Sequence, residues 1–585
     1  MTLLITSPYF KNNSNKKILS LSKCLLNKKY LLENNVEFIN HHWVDNNIML
    51  QDVEYIKTTY EDILDELKTN LNIIHNLNWK KRSWRILIGP WLLKFIAITF
   101  DRWKYIHILE KEHKISAAFI NQANSEDLRS SSYEELSRLS KDNYWNKILF
   151  DYFISKSKKI PHTATKYKNL KIKKEERFLM KIKIKYLLKN VLFSDNIINL
   201  LRFLKKNESI VYSSTYLSKV DLLKLKLKNN SILIDDFTSS IKYSKERLNV
   251  KKRKEIFNLN QKKDCFKTLL YELLITNIPR IYIEDFDYLI YLSNKSVLPH
   301  NPKLILTGSS LWHDEVFKAY TASRINNGSK LAIMQHGGFY GTSLYSVFED
   351  HEEKISDKYL VWGWAEKSKH FNIDIQFKNI RRKQKVNSNK ILLITHNFID
   401  SNFMTSMSTN ELFDDRAYKY EEFFHFLLKK IGPIFINRIK VRLFPGKNNI
   451  NKELILTMKR YGISISQEIS FINEINNSLL SIFCYSGTPF LESISLNKPS
   501  ILYISEDIDP FREKAKVHFN KLKKVGIFHT SYKSLIEHLL HVENNIYDWW
   551  NSEPVKKTKE NFCKNYAPYS HNKIKKINNL IKEIL

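Results

Sequence analysis

Ser486, Gly487 and Thr488 are residue types that can hold a phosphate: two hydroxyl side chains around a glycine, which lets a backbone come close to a ligand. They stand between the apolar run LLSIFCY (479–485) and the stretch PFLESIS (489–495), so the spacing predicts a strand's carboxyl end meeting a helix amino terminus. Free N–H groups and the helix dipole favour an anion at such a point. Pro489 suits the first helical turn, where its missing N–H costs nothing. One turn further on, Glu492 can look back as a carboxylate gripping the two hydroxyls of a ribose. With a second strand opened by Pro499, residues 479–504 read as one βαβ unit shaped for a nucleoside mono- or diphosphate. Strand–turn–helix units that hold nothing are common in doubly wound sheets, so supporting groups are needed elsewhere in the chain.

Such groups stand at the ends of other predicted strands. LAIMQ (331–335) is followed by His336, Gly337 and Gly338; the glycines allow a close backbone approach, and the imidazole can act as a general base or donate a hydrogen bond to phosphate. His396 closes the strand-like KILLITHN, and Arg442 and Lys447 flank the end of IKVRLFP (439–445), where both could neutralise phosphate charge. In the aromatic stretch 84–105, Arg85, Asp101 and Arg102 need partners inside so apolar a segment and are weaker candidates for acceptor contacts. No D-x-D pair stands in a place suited to such a site.

The elements that must position them alternate. Residues 2–6 and 35–39 read as strands around a helix over SLSKCLLNKKYLL, and 84–105 as a heavily aromatic helix pair. Short β-type runs follow at 209–213, 231–235 and 280–284. KLILTGSS (303–310) reads as a strand and turn before a helix over 314–326, and KYLVWGW (358–364) as another strand. The basic stretch 378–390 reads as a linker. Beyond it come a helix around 418–430, the strand IKVRLFP, a helix near 451–460, the short strand ISIS, the βαβ unit and a long amphipathic helix over about 555–583. Alternation of this kind predicts parallel, Rossmann-like sheets.

At 585 residues, two or three domains are expected. We place one over 1–380, with a basic helical insertion at about 165–265, and one over 388–585, whose last helix is long enough to cross back onto the first. The 43% hydrophobic and 13% aromatic content supports packed cores. A net charge of +33 invites an anionic partner, a membrane surface or nucleic acid; nucleic acid is disfavoured because zinc-finger spacing, single-strand stacking signatures and a compact basic arm are all missing from the sequence. Four cysteines, Cys24, Cys265, Cys484 and Cys563, lie far apart and imply a reducing compartment. The run from Ile86 to Phe100 is broken by Pro90 and Lys94, short of the roughly 20 residues a span needs, so a cytoplasmic protein at most peripheral to a membrane is expected.

SGTPFLESISLNKPSI (486–501) resembles the donor-nucleotide segment of GT-B glycosyltransferases. WRILIGPWL, FDRW, the pair HDEVFKAY and QHGGFYG, HEEKISDKYLVWGW and VRLFP together resemble a family of bacterial transferases encoded in O-antigen and other surface-carbohydrate loci, over nearly the whole chain. The resemblance implies two Rossmann-like domains facing a central cleft, and no cofactor beyond a nucleotide-sugar co-substrate. It implies metal-independent sugar transfer to a glycan or lipid-linked acceptor, the nucleotide held by Ser486, Gly487, Thr488, Arg442 and Glu492. In that reading His336 is the first choice for the base and Glu315 or Asp314 the next. Transferases using CMP-linked acidic sugars often carry His-Pro where this chain has Phe444-Pro445, so Arg442 would have to take over that phosphate contact. A polyol-phosphate transferase, a sugar-nucleotide 2-epimerase and a non-catalytic polyanion-binding scaffold are the alternatives.

Overall fold

Among the described residues, the strands of the computed structural model pair in parallel throughout. It describes residues 2–7, 17–21, 36–121, 125–165, 209–229, 231–234, 248–257, 264–296, 298–375, 388–395, 437–444, 449–506, 511–570 and 572–585, with 241, 403–404, 423–427, 429–430 and 435. Among the expectations above, most of the helix at 20–32, the basic segment 166–208, most of the linker and of the helix at 418–430, His396 and Lys447 lie outside the described residues.

Among the described residues three parallel sheets result, so residues 1–380 hold two where one was expected. The first orders as β3-β2-β1-β4-β5, from β1 (Thr2–Ile5), β2 (Lys17–Ser20), β3 (Val36–Phe38), β4 (Ala117–Asn121) and β5 (His162–Thr165). The second orders as β11-β10-β9-β8-β6-β7, from β6 (Ile210–Ser213), β7 (Ser231–Ile234), β8 (Leu304–Thr307), β9 (Lys330–Met334), β10 (Lys358–Val361) and β11 (His370–Asn372). The third runs β14-β13-β12-β15-β16-β17, from β12 (Ile391–Ile394), β13 (Ile439–Arg442), β14 (Ser464–Ile465), β15 (Leu480–Phe483), β16 (Ser500–Tyr503) and β17 (Phe528–His529). Read in chain order, the third is the doubly wound Rossmann order, with its reversal between β12 and β15, where such sheets leave a crevice at the strand carboxyl ends.

By its contacts the chain forms two compact units, Met1–Ser214 with Asn230–Leu331 and Ser401–Met407, and Thr215–Asn229 with Ala332–Asp400 and Ser408–Leu585. The first is built on two long helices, α1 (Asn46–Ile74) and α2 (Lys81–Glu112). The expected helix pair at 84–105 is this one continuous helix, with Pro90 inside it. An interior proline costs about 3 kcal/mol. Trp84, Ile88, Trp91, Leu92 and Phe95 are all fully buried around it, and burial at roughly 1.5–3 kcal/mol per large side chain outweighs that cost. Among the described residues it is the one helix long and apolar enough to span a membrane, and 94% of its apolar window is buried inside the protein.

Two further expectations are corrected. RIYIE at 280–284 forms a 3-10 turn (Arg280–Tyr282) instead of a strand, because Arg280 is folded back onto Asp285 at 2.9 Å and the Tyr282 hydroxyl donates to Glu315 at 2.7 Å. The C-terminal helix is two helices, Glu553–Tyr566 and Lys573–Ile584, interrupted where Pro568 disfavours a helical Ala567. The elements that bear on the site are α3 (Lys219–Lys228), α4 (Glu315–Asn326), α5 (Val347–Ile355), α6 (Thr488–Ser495) and α7 (Lys573–Ile584).

Candidate active site

Within the second unit the two glycine turns that the sequence singled out meet. The Gly338 N–H donates to Thr488 Oγ1 at 3.0 Å. A Cβ on Gly338 would stand 2.3 Å from Thr488 N and 2.5 Å from the Gly487 carbonyl carbon, so the approach is open to glycine alone. Gly487 is hemmed in on its other side, where a Cβ would stand 2.3 Å from the Tyr485 ring. The turn after β9 and the amino terminus of α6 therefore share one surface, made of Gly337, Gly338, Ser486, Gly487 and Thr488.

Gln335, which the sequence reading passed over, fixes the first turn. Its buried amide donates to the Gly337 carbonyl at 2.9 Å, and its carbonyl accepts from the Trp362 backbone at 2.8 Å and the Trp364 indole at 2.7 Å. Two carboxylates of α5 complete the support. Glu349 accepts from the Gly341 N–H at 2.7 Å, and Glu352 lies 2.8 Å from His336 Nε2. Glu352 is buried and also accepts from the Tyr359 hydroxyl at 3.1 Å, while the Tyr340 hydroxyl lies 3.0 Å from His336 Nε2. Burial, with Glu352 nearby, pushes both tyrosines well above their usual range, so they stay protonated donors. A carboxylate only accepts, which assigns the imidazole proton to Nε2 and leaves the Nδ1 lone pair without a partner among the described residues. The ring is part-exposed and stacks on Tyr216, centroids 5.6 Å apart at 12°. Tyr216 is held at a φ of +60°, which a bulky L-residue rarely adopts. Glu352 and Tyr216 had no signature in the sequence; an acidic residue sixteen positions after His336 and a tyrosine before a Lys-rich helix are ordinary there.

Glu492 lies one turn along α6 from Thr488, on the same helical face. It is part-exposed and has no hydrogen-bond partner among the described residues, and burial alone pushes its carboxyl up to about 8. A desolvated carboxyl without donors is what a ribose diol would satisfy. Between pH 4.5 and about 8 the folded state holds a proton that the unfolded state has lost, so stability falls as pH rises across that window, and Glu492→Gln is expected to flatten the fall in a pH series of denaturant melts. The slope removed is at most roughly 1.4 kcal/mol per pH unit.

Arg442 departs from expectation. Its guanidinium reaches Glu474 at 2.5 Å and the carbonyls of Glu468 at 2.7 Å and Ile469 at 3.1 Å, and it lies over the Phe471 ring. Glu474 is buried and needs a cation, so this residue clamps segment 468–474 and is withdrawn as a phosphate ligand. Arg442→Ala should cost about 1–3 kcal/mol by denaturant melting, because Glu474 loses a charged donor, and should leave nucleotide-induced stabilisation intact.

Asp314 and Glu315 are likewise withdrawn as bases. Asp314 Oδ1 caps α4, accepting from the Val316 and Phe317 N–H groups at 3.0 Å each. Glu315 is buried and accepts from Tyr133 N–H, the Tyr282 hydroxyl and Lys318 Nζ at 2.8 Å. Arg85, Asp101 and Arg102 are core residues instead of acceptor contacts. Arg85 forks onto Glu61 at 2.7 and 2.6 Å. Asp101 accepts from His41 at 2.8 Å and Arg102 at 2.7 Å, and Arg102 also binds Asn146 and the Met404 carbonyl. His41, His42 and Asp101 present three metal-capable atoms within 4.8 Å. The Asp101 carboxylate is already satisfied there, the His41 Nδ1 accepts the Trp43 N–H, and Arg102 lies against Asp101, so the donor set suits a hydrogen-bonded core better than a cation.

Parallel sheets, a strand-end imidazole and a glycine turn at a helix amino terminus define an α/β protein with a transferase-like site. Residues 1–581 match the LIC12162 family transferase, and the chain belongs to that family. No curated protein matches it. Among solved structures it is similar to TarM, at 11% identity and a TM-score of 0.33, over 51% of this chain and 57% of TarM, so the match spans little more than half of TarM's length. It is also similar to Staphylococcus aureus (S. aureus) MnaA with UDP, at 10% and 0.35 over 64% and 96% of the two chains. HepE from Anabaena with UDP and glucose gives 10% and 0.35 over 64% and 99%.

Proposed function

We propose that this transferase is a glycosyltransferase, which moves a sugar from a nucleotide-sugar donor to a surface-polysaccharide or other glycan acceptor, free or lipid-linked. The observation that carries the reading is the 3.0 Å contact between Gly338 and Thr488, which sets the imidazole turn against the phosphate-type turn. In this reading the donor diphosphate lies on the N–H groups of the Ser486–Thr488 turn, which supply the charge stabilisation a metal gives elsewhere. Glu492 takes the ribose hydroxyls. His336 Nδ1 accepts the acceptor hydroxyl proton as that oxygen bonds to the anomeric carbon, and the bond from that carbon to the phosphate oxygen breaks with its electron pair leaving on the nucleotide. The reading carries with it a cytoplasmic location, where nucleotide sugars are made, and O-antigen or related surface-carbohydrate synthesis as the setting, with peripheral contact to an anionic membrane.

A thermal-shift series with UDP, GDP, dTDP, CMP and CDP tests it. Ligand at about 100 Kd contributes roughly 2.7 kcal/mol, and we expect one nucleotide to stabilise selectively, with the effect lost in Glu492→Ala. A response to CDP coupled to CMP release from a CDP-alditol would replace the reading with polyol-phosphate transfer. Turnover of a UDP-sugar with no acceptor would favour an epimerase, and retention on polyanions with no nucleotide response would leave a scaffold.

A further inference from the structure

Helix α3 (Lys219–Lys228) is amphipathic on the wrong side for a solvated helix. Its inner face is fixed: Asp221, Leu222 and Leu225 are buried, Asp221 pairs with Lys573 of α7 at 2.5 Å, and Asn229 donates to Asn578 at 2.8 Å. Facing outward are Val220, Leu223 and Leu227, exposed by 62%, 57% and 79%. At about 100° per residue these three fall within roughly 60° of one another, diametrically opposite the buried trio. Lys219 and Lys226 border this apolar ridge on one side and Lys224 and Lys228 on the other, all exposed. Asp221, the only acidic residue of the helix, points inward, so the outer face carries four cations and no anion.

Single exposed apolar residues need no explanation, but a ridge of three at helical spacing between two rows of lysine does. Lysine stems lie along apolar surface while their ammonium groups stay at a polar boundary, and anionic headgroups supply the missing countercharge. A flat two-sided lysine border fits a headgroup plane, in keeping with the chain's net charge of +33. We propose that α3 is a membrane-docking helix, which lays Val220, Leu223 and Leu227 into the headgroup layer of an anionic bilayer while its four lysines contact phosphates. One short helix gives weak, reversible attachment. Tyr216, whose ring stacks on His336, lies three residues before α3 in the same compact unit, so a short segment ties the docked helix to the imidazole. This last point rests on the glycosyltransferase reading and suits an acceptor carried on lipid; the docking itself does not depend on it.

The test is co-sedimentation of the full-length protein with vesicles of phosphatidylcholine alone and of phosphatidylcholine mixed with phosphatidylglycerol, across a salt series. Binding is expected only to the anionic vesicles and should weaken with salt. The double variant Leu223→Ser/Leu227→Ser should bind about tenfold more weakly with an unchanged melting temperature, since both side chains are solvent-exposed in the free protein. Lys224→Gln/Lys226→Gln should bind more weakly and lose much of its salt dependence. No binding of the parent protein to anionic vesicles, or equal binding by the serine variant, overturns the proposal; the second outcome would mean that another basic segment makes the contact. Nucleotide-induced stabilisation, measured on the same serine variant, is expected to be that of the parent. Its absence in both proteins would sink the glycosyltransferase reading and leave the docking result standing.

Discussion

His336→Ala is expected to lower turnover by about 10²–10⁴-fold, the range that a positioned general base contributes, while nucleotide-induced stabilisation stays within error of the parent. The geometry gives the reason for separating the two readouts. His336 faces Glu352, Tyr340 and Tyr216, whereas the groups assigned to the nucleotide are the 486–488 turn and Glu492. Glu352→Gln supplies the second measurement. A glutamine carbonyl can still accept from Nε2–H, so the ring should remain placed, but the charge that stabilises the imidazolium is gone. Turnover should fall less than in His336→Ala, and the acid limb of its pH profile, where a base is lost by protonation, should move to lower pH, which a merely structural role would not produce. Unchanged turnover in His336→Ala would remove the imidazole from the mechanism.

Gly338→Ala is expected to abolish nucleotide-induced stabilisation and to destabilise the fold itself, at the upper end of the roughly 1–3 kcal/mol that overpacking costs. The added methyl would overlap backbone atoms of Gly487 and Thr488 at 2.5 Å or less, and no rotamer change relieves a clash with main chain. The two turns must part, the Gly338 N–H loses Thr488 Oγ1, and the amino terminus of α6 shifts with them. Gly337→Ala is the internal control. Its Cβ would press on the edge of the Phe339 ring at 3.3 Å, which a small ring movement accommodates, and would meet Tyr340 at an ordinary 3.7 Å, so its effect should be much milder. Nucleotide stabilisation in Gly338→Ala equal to that of the parent would show that the contact between turns does not shape the nucleotide site.

The αβ alternation was legible because strands such as ILLI, and LSIF apart from Ser481, are apolar runs buried on both faces, and because glycine and proline punctuate them. The βαβ unit at 480–503 stands where its pattern placed it, with Pro489 in the first helical turn. Strands β2, β4 and β5 escaped because KILS and AAFIN carry only two large apolar residues each and HTAT carries none, too few to stand out as strands. The break at Pro90 was overestimated, since local propensity is a few kcal/mol and the burial around α2 is larger.

By itself the sequence determined the residue types at the strand ends: His336 with its two glycines, the Ser-Gly-Thr turn, and Glu492 one helical turn beyond. Those depend on spacings of a few residues, which chain chemistry alone sets. Only the tertiary structure decided which of these groups meet. It placed Gly338 against Thr488, 150 positions away, and Glu352 and Tyr216 on His336. It also turned Arg442, Glu315, Asp314, Arg85, Asp101 and Arg102 toward partners of their own. The physical reason is that a buried charge must find its counterpart wherever packing brings one, and that pairing is a property of the folded surface with no trace in local sequence.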